Sequence, residues 1–404
     1  MRVLLDVDIL TNKVYGLKKY TGDGGGADAE VSSLDILDDA EKEGFDIYYE
    51  NGTLVKKEKD QEEFYNKITA LKKEIDRIKS DERIAFAAYA QDRFSEAAAV
   101  KLRGTSAARE EKRRELSSLK KERAAYIRQV FEEKLKATTF KHYCSICLII
   151  RDDNDYLEEW LNWHIAQGVE HFYIYDHCSK LPVSEFMKTL PLNIQEKVSV
   201  TFFGGSHDFA QHDAYNDCLK RRSGESRWIG YIDSDEMVRV LDGQTFPEFL
   251  KEFEGYAGLF AEWITYGASG QKEKSPIPVR ERFTTVSATN KQRGLGKVFV
   301  QPLLMKQMLT HNGFAVDGFS IVDETHSVVP EAAPYNPNYT KNRICIDHYY
   351  TKSYIEWLEK MSRGRCDPYF SRKYDEFFIY NPDMEYCREE IFPEQVYEVF
   401  NSKE

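Results

Sequence analysis

The stretch CSICLIIRDDNDYLEEWLNWHIAQGVEHFYIYD, residues 144–176, decides the fold of this chain. Its apolar run Cys144–Ile150 predicts a buried strand, and Asp155–Gln167 has the length and the aromatic face of a helix. Gly168 ends that helix, and Val169–Asp176 predicts a second strand. Strand, helix and strand in this order form a β-α-β unit, so the segment predicts a parallel sheet.

The same alternation continues along the next part of the chain. Val198–Phe203 predicts a third strand, Phe209–Lys220 a helix and Trp228–Ile232 a fourth strand. The sequence therefore predicts an α/β fold with an open sheet, in which ligands bind beyond the carboxyl ends of the strands.

Acidic side chains directly follow the strand Trp228–Ile232, in the order Asp233, Ser234, Asp235 and Glu236. Two carboxylates one residue apart can face the same pocket if the chain turns there. Carboxylate oxygens are the ligands that Mn²⁺ and Mg²⁺ prefer, and such an ion commonly bridges substrate phosphates. The pattern therefore predicts a metal site at Asp233 and Asp235, with a solvated acidic loop as the alternative.

Two further strand ends carry polar residues. Arg151–Asn154 follows the first strand, and Asp176–Ser179 ends and follows the second. Because the carboxyl ends of parallel strands meet at one edge of a sheet, the three sets together predict a crevice that holds a nucleotide. Taken singly, each set could be an ordinary polar loop.

A later segment combines a histidine with several cations. His348 follows the apolar run Ile344–Ile346, and Lys352, Lys360 and Arg363 come after it in an otherwise acidic chain. If a helix begins directly after His348, this residue lies where backbone N–H groups favour anions, and Lys352 lies one turn later. The segment therefore predicts a diphosphate site, with a surface salt-bridge face as the alternative.

Residues 1–56 predict a small β-rich unit. Phe45–Tyr49 and Thr53–Lys56 flank the turn signal Asn51–Gly52, which predicts a β-hairpin. This part of the sequence contains no motif that indicates chemistry.

Residues 57–140 predict an α-helical, coiled-coil-like hairpin or arm, and residues 141–404 form the third predicted domain. The apolar residues of the arm recur at the spacing of a coiled-coil seam. They are Phe64, Ile68, Leu71, Ile75 and Ile78. The helical pattern breaks near Gly104–Ser106. The seam predicts either a hairpin that packs on itself or a homo-oligomer through residues 57–137.

Charge and composition exclude several classes of protein. The net charge of −12 argues against sequence-independent nucleic-acid binding, which requires a basic face. Seven scattered cysteines, an odd number, argue against a disulfide framework and favour a reducing compartment. Because no run approaches the roughly 20 apolar residues of a membrane span, a cytoplasmic location with at most peripheral membrane docking is expected.

Residues 147–179 resemble the opening of glycosyltransferase family 92 and of related bacterial family 2-like enzymes. Later pieces follow in the same order as in that family. They are Gln211 with Ala214 and Tyr215, Trp228 leading to Ile232–Glu236, Trp263 with Tyr266 and Gly267, Arg282 with Phe283, His348 and Tyr349 with Lys352 and Ser353, Glu359 with Lys360, and Arg363 with Gly364. The resemblance covers residues 143–366 and departs from the family pattern at Asn154, Met237 and Tyr266.

This resemblance implies a GT-A fold, a UDP-sugar donor, with galactose as the first guess, and Mn²⁺ or Mg²⁺ as the cofactor. It implies that Asp233, Asp235 and His348 bind the metal. A glycan or another hydroxyl compound is the implied acceptor. The residues implied to bind the nucleotide sugar are Arg151, Asp153, Asp176, Ser179, Gln211, Asp233, Lys352 and Arg363.

An inverting transfer also needs a carboxylate that deprotonates the acceptor hydroxyl. Glu262, beside Trp263, and Asp317 are the leading candidates, and Asp323 and Glu324 are further ones. We favour Asp317 because the glycine that follows it permits close approach of a substrate. The alternative is an ordinary turn aspartate.

Two other functions fit parts of the sequence. A metal-dependent phosphoester or diphosphate hydrolase uses the same kind of ion with an activated water. A glycan-binding or structural coiled-coil protein would carry an inactive transferase-like domain. The presence of Asp233, Asp235 and His348 argues against an inactive site.

Overall fold

The computed structural model describes residues 2–7, 14–19, 28–30, 45–50, 53–58, 62–91, 96–204, 209–287, 289, 294–364 and 372–387. The chain divides into two compact units, Met1–Lys134 and Leu135–Glu404. In the part of the chain described, none of the helices combines the length and the apolar character that a membrane span requires.

The first unit begins with short antiparallel strands. They are β1 (Arg2–Val7), β2 (Val14–Lys19), β3 (Asp28–Glu30), β4 (Phe45–Glu50) and β5 (Thr53–Glu58). β1 pairs with β2 and β3, and β4 pairs with β5. Glu50 lies opposite Thr53, so the predicted hairpin is confirmed, although Asn51 and Gly52 lie outside the described residues.

Two long helices follow, α1 (Glu62–Gln91) and α2 (Glu96–Ala137). The prediction that the helical pattern breaks near Gly104–Ser106 is wrong, because α2 runs through this segment. The Thr105 hydroxyl donates to the Lys101 carbonyl one turn back, and one glycine costs a helix only about 1 kcal/mol. Neither residue type is enough to end this helix.

Three of the five residues of the predicted apolar seam are buried. Leu71, Ile75 and Ile78 are each less than a tenth exposed. Glu82 of α1 accepts a hydrogen bond from Ser106 of α2, which ties the two helices together. A coiled coil, and an oligomer through it, remain predictions.

The second unit alternates strands and helices. Its strands are β6 (His142–Ile150), β7 (His171–Asp176), β8 (Val198–Phe202), β9 (Ser226–Tyr231), β10 (Glu236–Val240), β11 (Gly258–Thr265), β12 (Gly296–Val300), β13 (Met305–Met308), β14 (Gly313–Ala315), β15 (Ile321–Val322) and β16 (Ile344–His348). Its α-helices are α3 (Leu157–Ala166), α4 (Val183–Met187), α5 (Leu192–Gln195), α6 (Ala210–Arg222), α7 (Phe246–Leu250), α8 (Val279–Arg282), α9 (Tyr354–Arg363) and α10 (Glu376–Tyr380). Short 3₁₀ turns are Asn154–Tyr156, Lys251–Phe253, Pro302–Leu304 and Pro382–Met384.

The main sheet has the strand order β10-β16-β11-β12-β9-β6-β7-β8, with β15 beside β11. β9, β6, β7 and β8 are parallel to one another, which confirms the predicted β-α-β unit and the mixed α/β class. β12 is antiparallel to β9 and β11, and β10 is antiparallel to β16. The carboxyl ends of β6, β7 and β9 therefore meet at one edge of the sheet, as predicted.

Helix α3 holds the acidic turn after β9 in place. Trp160, on the predicted aromatic face, is fully buried. Its indole N–H donates to the Asp233 carbonyl at 3.1 Å and to the Glu236 carbonyl at 2.8 Å. Gly168, predicted to end the helix, has a φ of 96°, a conformation that favours glycine after a helix. The aromatic face therefore positions the site as well as forming the core.

Candidate active site

The acidic residues after β9 form a tight turn. The Glu236 backbone N–H donates to the Asp233 carbonyl at 3.1 Å, and the Asp233 N–H donates to the Glu236 carboxylate at 3.0 Å. The Asp235 carbonyl accepts from the Tyr349 N–H at 2.9 Å, which joins the turn to the residue after β16. The predicted turn is therefore present, and its backbone hydrogen bonds fix its shape.

Three candidate metal ligands converge at this turn, namely Asp235, Glu236 and His348. One ligand atom from each lies within 4.8 Å of the other two, and all three side chains are buried. His348 lies opposite Glu236 in the antiparallel pairing of β16 with β10, so both side chains project from the same face of the sheet. His348 Nε2 is 3.8 Å from Asp235 Oδ2.

The predicted local structure around His348 is wrong in one respect. His348 is the last residue of a strand, and α9 begins only at Tyr354, so His348 is not at a helix N-terminus. Ser353 and Glu356 form a capping box that sets the start of α9. Lys352 therefore lies in the connecting loop, with a φ of 52°.

Asp233 has partners of its own. Its Oδ1 accepts hydrogen bonds from Gln211 at 2.7 Å and from the Tyr215 hydroxyl at 3.2 Å, and its Oδ2 lies 3.0 Å from Lys297 Nζ. The Lys297 side chain is fully buried. Gln211, predicted to bind the nucleotide sugar, thus orients an acidic residue of the turn. Asp233 is linked to the three convergent ligands by its backbone N–H, which donates to the Glu236 carboxylate.

Lys360 of α9 reaches the same cluster. Its Nζ lies 2.5 Å from Asp235 Oδ2 and 2.7 Å from the Tyr350 carbonyl. Burial would raise the pKa of the Asp235 carboxyl, but Lys360 and then His348 hold it well below its usual range. Burial lowers the pKa of Lys360 to about 8 against the opposing effect of Asp235. The pair therefore stays charged at neutral pH.

The donor atoms suit a divalent cation. His348 Nδ1 and Glu236 Oε1 are buried and have no hydrogen-bond partner among the described residues. Burial raises the pKa of Glu236 well above its usual range, although Lys297 opposes it. Burial lowers the pKa of His348, so its imidazole is neutral at pH 7, the form that binds metals. A cation would meet the Asp235 carboxylate, a neutral imidazole and a carboxyl that loses its proton on binding.

The predicted nucleotide residues Asp153, Lys352 and Arg363 are brought together beside the turn. Asp153 forms an ion pair with Arg363, accepts a hydrogen bond from Ser234 and lies 3.8 Å from Lys352 Nζ. Burial would raise the pKa of the Asp153 carboxyl, but Lys352 and Arg363 together lower it. This group extends the charged cluster from β9 to the end of β6.

Asp176 and Ser179 have roles within the protein. The two Asp176 carboxylate oxygens accept from the backbone N–H groups of Ser179 and Val183, each at 2.9 Å. The Ser179 hydroxyl accepts from the Asp152 N–H at 3.1 Å, which links the loops after β6 and β7. Arg151 is exposed at the same edge. Asp176 and Ser179 therefore organise the loops at the predicted nucleotide crevice through hydrogen bonds within the protein.

Glu262 lies on the opposite face of the sheet from His348. Its neighbour Trp263 packs against His348, with ring centroids 4.2 Å apart, and successive side chains of a strand alternate between faces. Glu262 is buried and accepts a hydrogen bond from Asn336 at 3.0 Å. Burial raises the pKa of its carboxyl to about 7.

Asp317 lies in the turn after β14, where its half-exposed carboxylate forms an ion pair with Lys306 of β13. Asp323 accepts hydrogen bonds from Thr325. Glu324 accepts from the backbone N–H groups of residues 342–344. The latter two carboxylates therefore organise loops, and the identity of the base remains a prediction.

Three features of the site were not predicted from the sequence, namely Lys297, His311 and the ligand role of Glu236. Lys297 lies within the apolar strand β12, and a lysine in a buried strand requires a carboxylate partner, so a signal for it was present. Only glycine fits at the neighbouring position 296, because a Cβ on Gly296 would lie 2.0 Å from the Ala261 carbonyl oxygen. His311 packs edge-on against Trp263, with ring centroids 5.3 Å apart. No sequence pattern indicated that His311 would lie at the site.

Comparison with known proteins identifies the family. Residues 142–363, more than half of the chain, match the family model described as Glycosyltransferase family 92. A glycosyltransferase family 92 protein of Ricinus communis is 24% identical over 229 residues, which are 55% of this chain and 38% of that protein. One of Oryza sativa subsp. japonica is 26% identical over 238 residues, which are 58% of this chain and 38% of that protein. The matched parts span well under half of these curated relatives. The chain belongs to glycosyltransferase family 92.

Proposed function

We propose that this protein transfers a sugar from a UDP-sugar to a hydroxyl of a glycan or related acceptor, with inversion and with a divalent metal. The observation that carries the proposal is the buried convergence of Asp235, Glu236 and His348 beside Lys297 and Lys360. The site lies where the strands of an open α/β sheet end, which is the usual place for a nucleotide. The family resemblance adds the GT-A fold, Mn²⁺ and galactose as the first donor to test.

The metal would be held by Asp235, Glu236 and His348, with Asp233 close by. When bound, it would offset the negative charge that develops on the departing diphosphate. Lys297 pairs with the Asp233 carboxylate and orients it inside the protein. This arrangement needs no movement of the sheet to present its ligands.

The cations of the loop and of α9 complete the donor site in this proposal. Lys352 and Arg363 share the Asp153 carboxylate, and Lys360 holds the Asp235 carboxylate. Lys360 contacts a candidate metal ligand, and Asp153, the partner of the other two cations, accepts a hydrogen bond from Ser234 of the acidic turn. In this proposal each cation contacts a phosphate oxygen through a charge-assisted hydrogen bond. They would thereby hold the diphosphate in place and stabilise the negative charge that it gains as its bond to the sugar breaks.

The test is Asp235→Asn, which removes one ligand charge and keeps the shape of the side chain. We expect UDP affinity measured by calorimetry to fall at least about tenfold with Mn²⁺, and sugar transfer to be abolished. An unchanged thermal transition would show that the variant is folded. Wild-type turnover by this variant with Mn²⁺ present would contradict the proposed site.

The same assays separate the competing functions. Release of free sugar without transfer to any acceptor would indicate a hydrolase. Absence of Mn²⁺-dependent UDP-sugar binding in the wild type would indicate a glycan-binding or structural protein.

A further inference from the structure

A groove opens beside the charged cluster, between the start of α3 and the segment that leads into α8. Its volume is about 800 Å³, which is within the range of pockets that bind small molecules. Tyr156, Glu158 and Asn162 line one side, and Lys274 and Ile277 line the other. None of these residues belongs to the candidate metal ligands.

The groove and the charged cluster share a wall. The Tyr156 ring lines the groove and also lies 3.3 Å from Lys352 Nζ, the ammonium that faces Asp153. Lys274 lines the groove and lies 3.0 Å from the carboxylate of Glu359, the residue before Lys360. A ligand in the groove would therefore lie next to the proposed donor site.

The charges of the groove do not favour an anion. Arg282 is engaged by both oxygens of Glu356, at 2.9 and 2.7 Å, and only 2% of its side chain is exposed. Lys274 bridges the carboxylates of Asp155 and Glu359, at 2.8 and 3.0 Å. A phosphate would have to displace these carboxylates before it could gain a charged partner.

The remaining walls offer what a neutral sugar needs. Glu158 and Asn162 are exposed and carry a carboxylate and an amide that exchange hydrogen bonds with hydroxyl groups. Ile277 is 52% exposed between Pro276 and Pro278, which gives one side an apolar surface. Hydrogen-bonding groups beside an apolar surface can fix the orientation of a small organic ligand.

We propose that this groove binds the acceptor, as one or more neutral sugar residues, and directs a hydroxyl toward the charged cluster. The proposal rests on the proposed transferase function and names its second substrate. Glu158 and Asn162 contact the bound sugar, and Ile277 packs against its apolar face.

The test fills the groove with a bulky side chain. Asn162→Trp replaces an exposed helical residue that lines the groove. Asn193→Trp, at an exposed position of α5 outside the groove, is the matched control. The probes are neutral trisaccharides of glucose, galactose or N-acetylglucosamine. Their binding is measured by saturation-transfer NMR, and UDP binding with Mn²⁺ is measured by calorimetry.

We expect the wild type and Asn193→Trp to bind at least one trisaccharide, and Asn162→Trp to bind it at least about tenfold more weakly. All three proteins should bind UDP equally. Trisaccharide binding that is unaffected by Asn162→Trp, or absent from the wild type, would overturn the groove assignment. Loss of UDP affinity in Asn162→Trp would also overturn it, because the groove would then belong to the donor. A wild type that binds a trisaccharide in the groove but no UDP would instead contradict the proposed function.

Discussion

Buried ionisable groups in this protein differ in whether they form a direct ion pair. Lys297 is fully buried, but Asp233 and then Glu236 overcome the effect of burial and raise its pKa, so it stays charged. Glu262 is equally buried, and its side-chain hydrogen-bond partner is the neutral amide of Asn336. Burial raises the pKa of its carboxyl to about 7, and the charge of Lys341 offsets this effect only in part. Similar burial therefore leaves the directly paired lysine charged and favours the neutral form of the glutamate.

Glu262→Gln should make stability less dependent on pH. The pKa of Glu262 in the folded protein is about 7, above the ordinary 4.5, so the protonated carboxyl stabilises the fold below pH 4.5. This contribution is lost as the pH rises through 7. We expect the variant to match the wild type near pH 4.5 and to exceed its free energy of unfolding by about 1–3 kcal/mol at pH 8, as urea denaturation would show.

Transfer assays on the same variant test Glu262 as the general base. Retained transfer by Glu262→Gln would remove Glu262 from the candidates. A loss of transfer together with unchanged UDP affinity would support the role, despite the position of Glu262 on the other face of the sheet.

At the scale of elements, the sequence predicted what depends on local pattern. Residues 144–176 gave the parallel unit because apolar runs and a glycine stop are local signals, and the acidic turn followed from its position after a strand. The helix start near His348 was misplaced because the capping box formed by Ser353 and Glu356 was not recognised. The partnership of Lys297 with Asp233 joins residues 64 positions apart, and a single sequence does not reveal which strands pair.

Helix α9 is held to the rest of the unit by a buried ion pair. Both oxygens of Glu356 engage Arg282, and the Tyr156 hydroxyl donates to the same carboxylate at 2.6 Å. Burial alone would raise the pKa of Glu356, but Arg282 and then the Ser353 hydroxyl lower it to about 2. Because α9 also carries Lys360, this pair positions a charged residue of the site.

Glu356→Gln should destabilise the fold by about 3–5 kcal/mol, because the Arg282 guanidinium remains buried without a counter-ion. The depressed pKa means that the stabilisation is present above pH 4.5 and is lost as the pH falls toward 2. The variant should therefore show a weaker loss of stability over this range in acid titrations followed by circular dichroism. Glu359→Gln, an exposed residue of the same helix, is the control and should change stability by less than about 1 kcal/mol. Equal effects of the two substitutions would contradict a special role for the pair.

At the scale of the whole molecule, the chain carries a net charge of −12, yet its candidate site gathers lysines and an arginine. A negative net charge discourages binding of nucleic acid, and a local cluster of cations can still attract a diphosphate. All of these cations come from the second unit, which also contains the entire family match. The chemistry should therefore belong to that unit alone.

A protein that begins at Leu135 tests this expectation directly. The unit Leu135–Glu404 contains the main sheet, the three convergent ligands and the groove, so it should fold and bind UDP with Mn²⁺ within about threefold of the full-length affinity. Calorimetric titration of UDP measures the affinity, and near-ultraviolet circular dichroism reports whether the aromatic core is packed. The same shortened protein with Asp235→Asn is the control, and it should be folded but lose UDP binding. A shortened protein that folds and yet cannot bind UDP, while the full-length protein does, would mean that residues 1–134 complete the site. The arm of α1 and α2 would then take part in substrate binding, and the independence of the second unit would be wrong.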